Sequence, residues 1–162
     1  MKAVVQRVKK AAVSVDGKIT GSIDNGLLVY LGVANGDTKK QAEWLADKIA
    51  NLRIFADADG KMNVSIKEKI TSGIDTGAKI LAISQFTLLG DCVKGRRPYY
   101  GEAAEPGIAK PLYEYFMQKI REQGIVCEAG IFQAHMEIDS VNDGPVTILV
   151  DTAQEKSPDV LK

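Results

Sequence analysis

Three short segments carry residue types that scaffolding alone does not readily explain. Ser84-Gln85-Phe86-Thr87-Leu88 closes an apolar stretch with a hydroxyl, an amide, an aromatic ring and a second hydroxyl. Polar groups at a strand end can orient a substrate, and a capped turn is the alternative. Lys94-Gly95-Arg96-Arg97-Pro98-Tyr99-Tyr100 sets cations ahead of two aromatic rings. Lys and Arg suit phosphate contacts and Tyr stacks on bases, with a solvated charge run as the alternative. Asn142-Asp143-Gly144-Pro145-Val146-Thr147 holds a Gly-Pro pair between two expected strands. Glycine widens the accessible φ range, and the bond before proline is the one at which cis is cheap. A functional Gly-Pro would act through backbone atoms; a tight turn is the plainer reading.

Other chemistry is excluded by scarcity. His135 is the single histidine, so any Ser-His-Asp or Cys-His arrangement must use it. It lies in Ala134-His135-Met136-Glu137-Ile138-Asp139. Strand alternation there puts His135, Glu137 and Asp139 on a polar face, with Met136 and Ile138 behind. That pattern reads as a solvated face rather than a catalytic base. Cys92 and Cys127 are the only cysteines and read as free thiols, so no metal site and no cofactor are expected. Asp57, Asp59 and Glu68 imitate an EF-hand loop, but Lys61 and Met62 stand where an oxygen ligand and a turn glycine belong. Gly73-Ile74-Asp75-Thr76-Gly77-Ala78-Lys79 lacks the glycine spacing and the Ser or Thr of a phosphate loop.

The elements that must position these segments follow from periodicity. The chain has 162 residues, 45% hydrophobic and 26% charged, enough for one core. Its 21 basic and 21 acidic residues exclude a globally basic nucleic-acid binder, though not a local patch. No apolar run approaches bilayer length, so no membrane association and a cytoplasmic location are expected. Residues 2–8, 13–15 and 18–23 read as strands, with Asp16-Gly17 as a hairpin turn. Leu27–Val33 reads as a strand buried on both faces, and 79–84 as another. Thr38 and Gln41 have capping-box spacing ahead of the stripe Ala42, Leu45, Ile49 and Leu52. A second helix is expected over 107–122, with Ile108, Leu112, Tyr115, Phe116 and Ile120 buried, Pro111 in its first turn and Gly124 as its stop. Residues 61–77 read as loop or weak strand, and 125–129, 134–141 and 145–151 as three strands. The sum is an α+β fold of mostly antiparallel, barrel-like sheet with two main helices. A single domain is expected over 1–152, followed by a short polar tail over 153–162.

Taken together, these segments resemble the D-aminoacyl-tRNA deacylase family over essentially the whole chain. The resemblance also includes Ala3-Val4-Val5-Gln6-Arg7-Val8, Lys48–Phe55 and Gly60-Lys61-Met62-Asn63. It implies a homodimer with active sites at the subunit interface and tRNA as partner. It assigns Ser84, Gln85, Phe86 and Thr87 to one wall of a pocket. Gly144 and Pro145, joined by a cis bond, enter from the partner subunit, and Arg7 holds their loop. Phe132 and Met136 match positions lining the pocket for the terminal adenosine, and Ala103 matches a position near it. Lys94, Arg96 and Arg97 are the candidate tRNA contacts.

The implied reaction is hydrolysis of the ester joining a D-amino acid to the tRNA 3′ end. Glycine mischarged on tRNA(Ala) would be a further substrate. Backbone N–H groups near Gln85 and Phe86 would hold the oxyanion, and the ribose 2′-hydroxyl would position the water. Thr87 is the one candidate nucleophile, but no base can be named beside it, which favours a role in shaping the pocket. L-substrates would be rejected by the Gly-Pro carbonyls. Two other readings compete: a hydrolase of another small ester, and a small dimeric nucleic-acid-binding module.

Overall fold

The computed structural model describes residues 1–156. In chain order the elements are β1 (Lys2–Val15), β2 (Lys18–Ile23), β3 (Gly26–Gly32), α1 (Lys39–Ala50), β4 (Phe55–Ala56), β5 (Met62–Val64), α2 (Ile66–Thr71), β6 (Lys79–Ser84), α3 (Pro106–Glu122), β7 (Cys127–Ala129) and β8 (Glu137–Asp151). Short 3-10 turns follow β6 at Phe86–Leu89 and β8 at Thr152–Lys156. The remainder of the expected polar tail lies outside the described residues.

The long strand β1 organises the sheet. Its first half pairs antiparallel with β3, its second half with β2, and β8 runs antiparallel along its other edge. The strands expected separately at 2–8 and 13–15 are thus one strand. Beyond β3 the order continues through β6 to β7 in parallel pairing. At the far ends β2 swings toward β7. A Cβ on Gly21 would stand 2.6 Å from the Ala129 carbonyl oxygen, so glycine is needed for this approach. The sheet is therefore nearly closed and barrel-like.

The apolar run in β3 is explained by burial on both faces. Leu27, Val29 and Leu31 pack with Ile80, Ala82 and the helix residues Leu45, Ile49, Phe116 and Ile120. Leu28 faces the other way, into a smaller cluster with Val8, Val13, Leu81 and Ile83 inside the curl.

Helix α1 starts at its expected box: Thr38 caps, and its backbone N–H donates to Gln41 Oε1 at 3.0 Å. Over 61–77, expected as loop or weak strand, the short strand β5 agrees and helix α2 is the correction. Ser65 Oγ accepts from Glu68 N at 3.1 Å, and Glu68 Oε2 accepts from Ser65 N at 2.7 Å. This Ser-x-x-Glu box was legible in the sequence. It also explains Glu68 without calcium, and the Ser65 backbone hydrogen bond holds its carboxyl below the usual range. Asp57 closes its own turn, accepting from Asp59 N and Lys61 N.

Two expectations for α3 are corrected. The helix begins at Pro106, which places Pro111 inside the helix rather than in its first turn. Ile108 is 53% exposed, and Tyr113 and Met117 take buried places beside Leu112, Phe116 and Ile120. Gly124 follows the helix at φ +80°, the conformation expected of its stop. A third correction concerns the last strands: 134–141 and 145–151 are one continuous β8, because β1 offers a single long edge. Gly144-Pro145, with its cis bond, is a bulge within that strand and not a turn between two.

Candidate active site

The site begins where β6 leaves the sheet. Parallel pairing sets Ser84 level with Leu31 of β3, and Gln85 N–H donates to the Leu31 carbonyl at 2.8 Å. That bond occupies one of the amides the sequence suggested for an oxyanion. Gly32 permits the close approach: a Cβ there would stand 3.0 Å from Gln85 O and 2.4 Å from a Leu89 methyl. The chain then turns into the 3-10 segment Phe86–Leu89. Such a turn leaves its first N–H groups without internal partners. Among the described residues, neither the Phe86 nor the Thr87 amide donates to a backbone carbonyl. These two amides, rather than that of Gln85, are left without a backbone acceptor.

Beside this strand end lies an open cavity of about 580 Å³. Ser84, Gln85, Phe86, Ala103, Phe132 and Met136, all named from sequence, line it together. They arrive from distant elements: the end of β6, the loop before α3 and the loop before β8. The Ala103 loop is tied to the end of β3 by Ala104 N–H to Val33 O and Asn35 N–H to Glu102 O, each 2.9 Å. Two alanines, Ala103 and Ala104, leave the space that a larger side chain would fill.

Tyr113 forms an inner wall that sequence reasoning missed. Its hydroxyl donates to Ala82 O at 2.8 Å, and its ring meets Phe132 at 6.0 Å between centroids. Burial pushes its phenol well above the usual range, so it stays a proton donor. The signal available was a polar-tipped aromatic on an otherwise apolar helix face, which requires a buried acceptor. Gln133, at φ +65°, and His135 also border the cavity. His135 is exposed, as expected of a solvated face, yet it stands at the cavity rim.

Other named residues lie apart. Thr87 is exposed and outside the cavity lining; its Oγ1 accepts from Gln85 Nε2. Gly144 and Pro145 are exposed on β8 and do not line this cavity either. Arg7 reaches their bulge, with Nε 2.8 Å from Asp143 Oδ2 and Nη1 donating to Ile54 O. Lys94, Arg96 and Arg97 are exposed in a loop closed by reciprocal Asp91–Tyr99 backbone bonds. None of the three forms a salt bridge among the described residues. The cationic loop joins the cavity through Tyr100, whose ring meets Phe86 edge-on at 5.2 Å.

This architecture, an α+β fold with a barrel-like sheet, recurs in solved structures. One titled "c-Myc DNA Unwinding Element Binding Protein" superposes with TM-score 0.83 at 37% identity, covering 93% of this chain and 98% of that one. Another, titled as a structural analysis of a probable eukaryotic D-amino acid tRNA deacylase, shares the fold at TM-score 0.76 and 16% identity, covering 92% and 97%. D-aminoacyl-tRNA deacylase of Koribacter versatilis is 54% identical over 155 residues, 96% of this chain and 99% of the relative. That of Thermotoga petrophila is 52% identical over 154 residues, 95% and 99%. The family described as D-Tyr-tRNA(Tyr) deacylase matches residues 4–151. The chain belongs to that family, whose members are hydrolases acting on ester bonds.

Proposed function

We propose that this protein hydrolyses the ester of D-aminoacyl-tRNA as a homodimer, with each pocket completed by Gly144 and Pro145 of the partner subunit. The observation that carries this reading is Gly144 itself. Its φ lies outside the left-handed region, and a Cβ added to it would meet only Asn142 Oδ1, at an ordinary 3.5 Å. Gly21 and Gly32 are demanded by their own chain; Gly144 is not. Gly77 and Gly107 have the same freedom; Gly144 differs from them in standing beside Pro145 in an exposed bulge of β8. Its exposure on β8, away from its own cavity, suits a second subunit.

In this reading the terminal adenosine occupies the apolar part of the cavity against Phe132 and Met136. The ester carbonyl lies at the strand end, where the Phe86 and Thr87 amides accept the charge that develops on its oxygen. Water attacks the carbonyl carbon, positioned by the ribose 2′-hydroxyl beside the ester. The bond to the ribose oxygen breaks, and free D-amino acid and tRNA leave. The Gly144 and Pro145 carbonyls fill the volume an L side chain would need. A D side chain points elsewhere and glycine has none, so glycine mischarged on tRNA(Ala) is a further substrate. Lys94, Arg96 and Arg97 hold tRNA phosphates.

The test pairs D-Tyr-tRNA and L-Tyr-tRNA at one enzyme concentration. Loss of the D-amino acid with L-Tyr-tRNA spared is expected; equal cleavage of both defeats the chiral mechanism. Mixed dimers address the shared site. One subunit carries a Pro145 substitution and the other a Ser84–Thr87 substitution, so one intact composite site is expected, with about half the activity on D-Tyr-tRNA and L-Tyr-tRNA still spared; cleavage of L-Tyr-tRNA would show that each site uses its own Pro145. A nucleic-acid-binding module is the second reading, favoured by the exposed cationic loop. Bound tRNA with no cleavage would select it.

A further inference from the structure

Strand β8 passes β1 with a break in register. Gln6 faces Thr147 and Val8 faces Asn142, so the four residues Asp143–Val146 stand opposite Arg7 alone. A bulge of that size has lost the ladder that would fix its backbone. Asn142 supplies the missing bonds. Its Nδ2 donates to Arg7 O at 2.9 Å and to Val146 O at 3.2 Å. The first bond fastens the entrance of the bulge to β1. The second closes the bulge across its own mouth, from residue 142 to residue 146. A primary amide carries two hydrogens on one nitrogen and can satisfy both carbonyls; a carboxylate carries none and a hydroxyl only one. Arg7 answers from the other side, its guanidinium set against Asp143.

We infer that Asn142 is a positioning residue for substrate selection. It fixes where the Gly144-Pro145 backbone stands, and so sets discrimination between D- and L-substrates without itself touching substrate. The inference rests on the proposed role of that pair. Asn142 is exposed at a strand surface, so its replacement spares the core.

The experiment compares Asn142→Ala and the near-isosteric Asn142→Asp with the unaltered dimer, using Pro145→Ala as a control. The readout is the ratio of kcat/KM on D-Tyr-tRNA to that on L-Tyr-tRNA. A merely structural role would lower the folded fraction and reduce both rates together, leaving the ratio unchanged. Both Asn142 variants are expected to lower the ratio by roughly tenfold, the factor one lost hydrogen bond carries. An unchanged ratio in both, with a lowered ratio in Pro145→Ala, overturns the role of Asn142 alone. Unchanged ratios in all three overturn the role of Gly144-Pro145, and the Asn142 inference with it.

Discussion

Gln85 and Thr87 are bonded side chain to side chain: the Gln85 amide donates to the Thr87 hydroxyl oxygen. The hydroxyl is therefore engaged as an acceptor, and among the described residues no carboxylate or imidazole is hydrogen-bonded to it. A threonine so placed is a poor nucleophile. Thr87→Val should cost no more than about tenfold in kcat, the scale of a lost hydrogen bond. Removing a true nucleophile typically costs about a millionfold. Single-turnover kinetics check this directly, and a covalent aminoacyl-enzyme would overturn it.

Arg7 joins two parts of the chain that are distant in sequence, with Nε at Asp143 and Nη1 at Ile54 O. Lysine can keep one contact but not the fork. Asp143 is 38% exposed, so solvent screens the ion pair, and the guanidinium acts mainly through its one hydrogen bond, from Nη1 to Ile54 O. Arg7→Lys should cost on the order of 2 kcal/mol. That corresponds to a fall in Tm of roughly 4–6 °C for a chain of this size, measurable by thermal unfolding.

Phe132 supplies apolar wall where the terminal base is proposed to sit. Phe132→Ala should raise KM for D-Tyr-tRNA about tenfold, within the usual range for one lost base–aromatic contact. The kcat should change less, because the amides at the end of β6 are untouched. A steady-state series separates the two.

The cationic loop should appear in salt dependence. Each single-strand phosphate contact contributes about 0.7 to the slope of log affinity against log salt. The triple substitution of Lys94, Arg96 and Arg97 by Ala should flatten that slope by about 2 if all three make contacts.

The two thiols should behave differently. Cys92 is exposed and Cys127 is buried, so one thiol per chain reacts in the native protein and the second only on unfolding. Burial raises the Cys127 thiol from its ordinary 9.0 to about 12. Between those values the unfolded chain sheds this proton and the folded chain keeps it. Stability from this group is therefore full below about pH 9 and declines as pH rises toward about 12. Cys127→Ala should reduce that slope, measured by urea unfolding across the range. Tyr113, also raised by burial, retains part of it.

Much of this was legible because it is local. Alternation and continuous apolar runs announced β3 and β6, and the Thr38 box marked the start of α1. Ser84, Gln85 and Phe86 stood out as polar and aromatic residues ending a buried strand. The errors arose where a neighbour decides. A proline followed by three hydrophobic strand residues at Val146, Ile148 and Val150 looks locally like a new strand. Only the uninterrupted edge of β1 makes it the continuation of β8. Ile108 fits the helical period but lies on the first turn, where it is left exposed. Tyr113 was hidden because a core aromatic and a cavity wall share one helical spacing.

The sequence by itself determined the α+β class, the two main helices, the polar strand end and the family. Side-chain periodicity and motif order are properties of the chain alone. Tertiary structure decided which amides at that strand end are free. Gln85 N–H is consumed by Leu31, a residue more than fifty positions away, while at the start of the 3-10 turn those of Phe86 and Thr87 have no backbone acceptor among the described residues. It also decided that a Cβ on Gly144 would meet only Asn142 Oδ1, at 3.5 Å, among the described residues. Whether a backbone group is satisfied, and whether a missing side chain is needed, depends on what stands opposite in space, and linear order does not carry that.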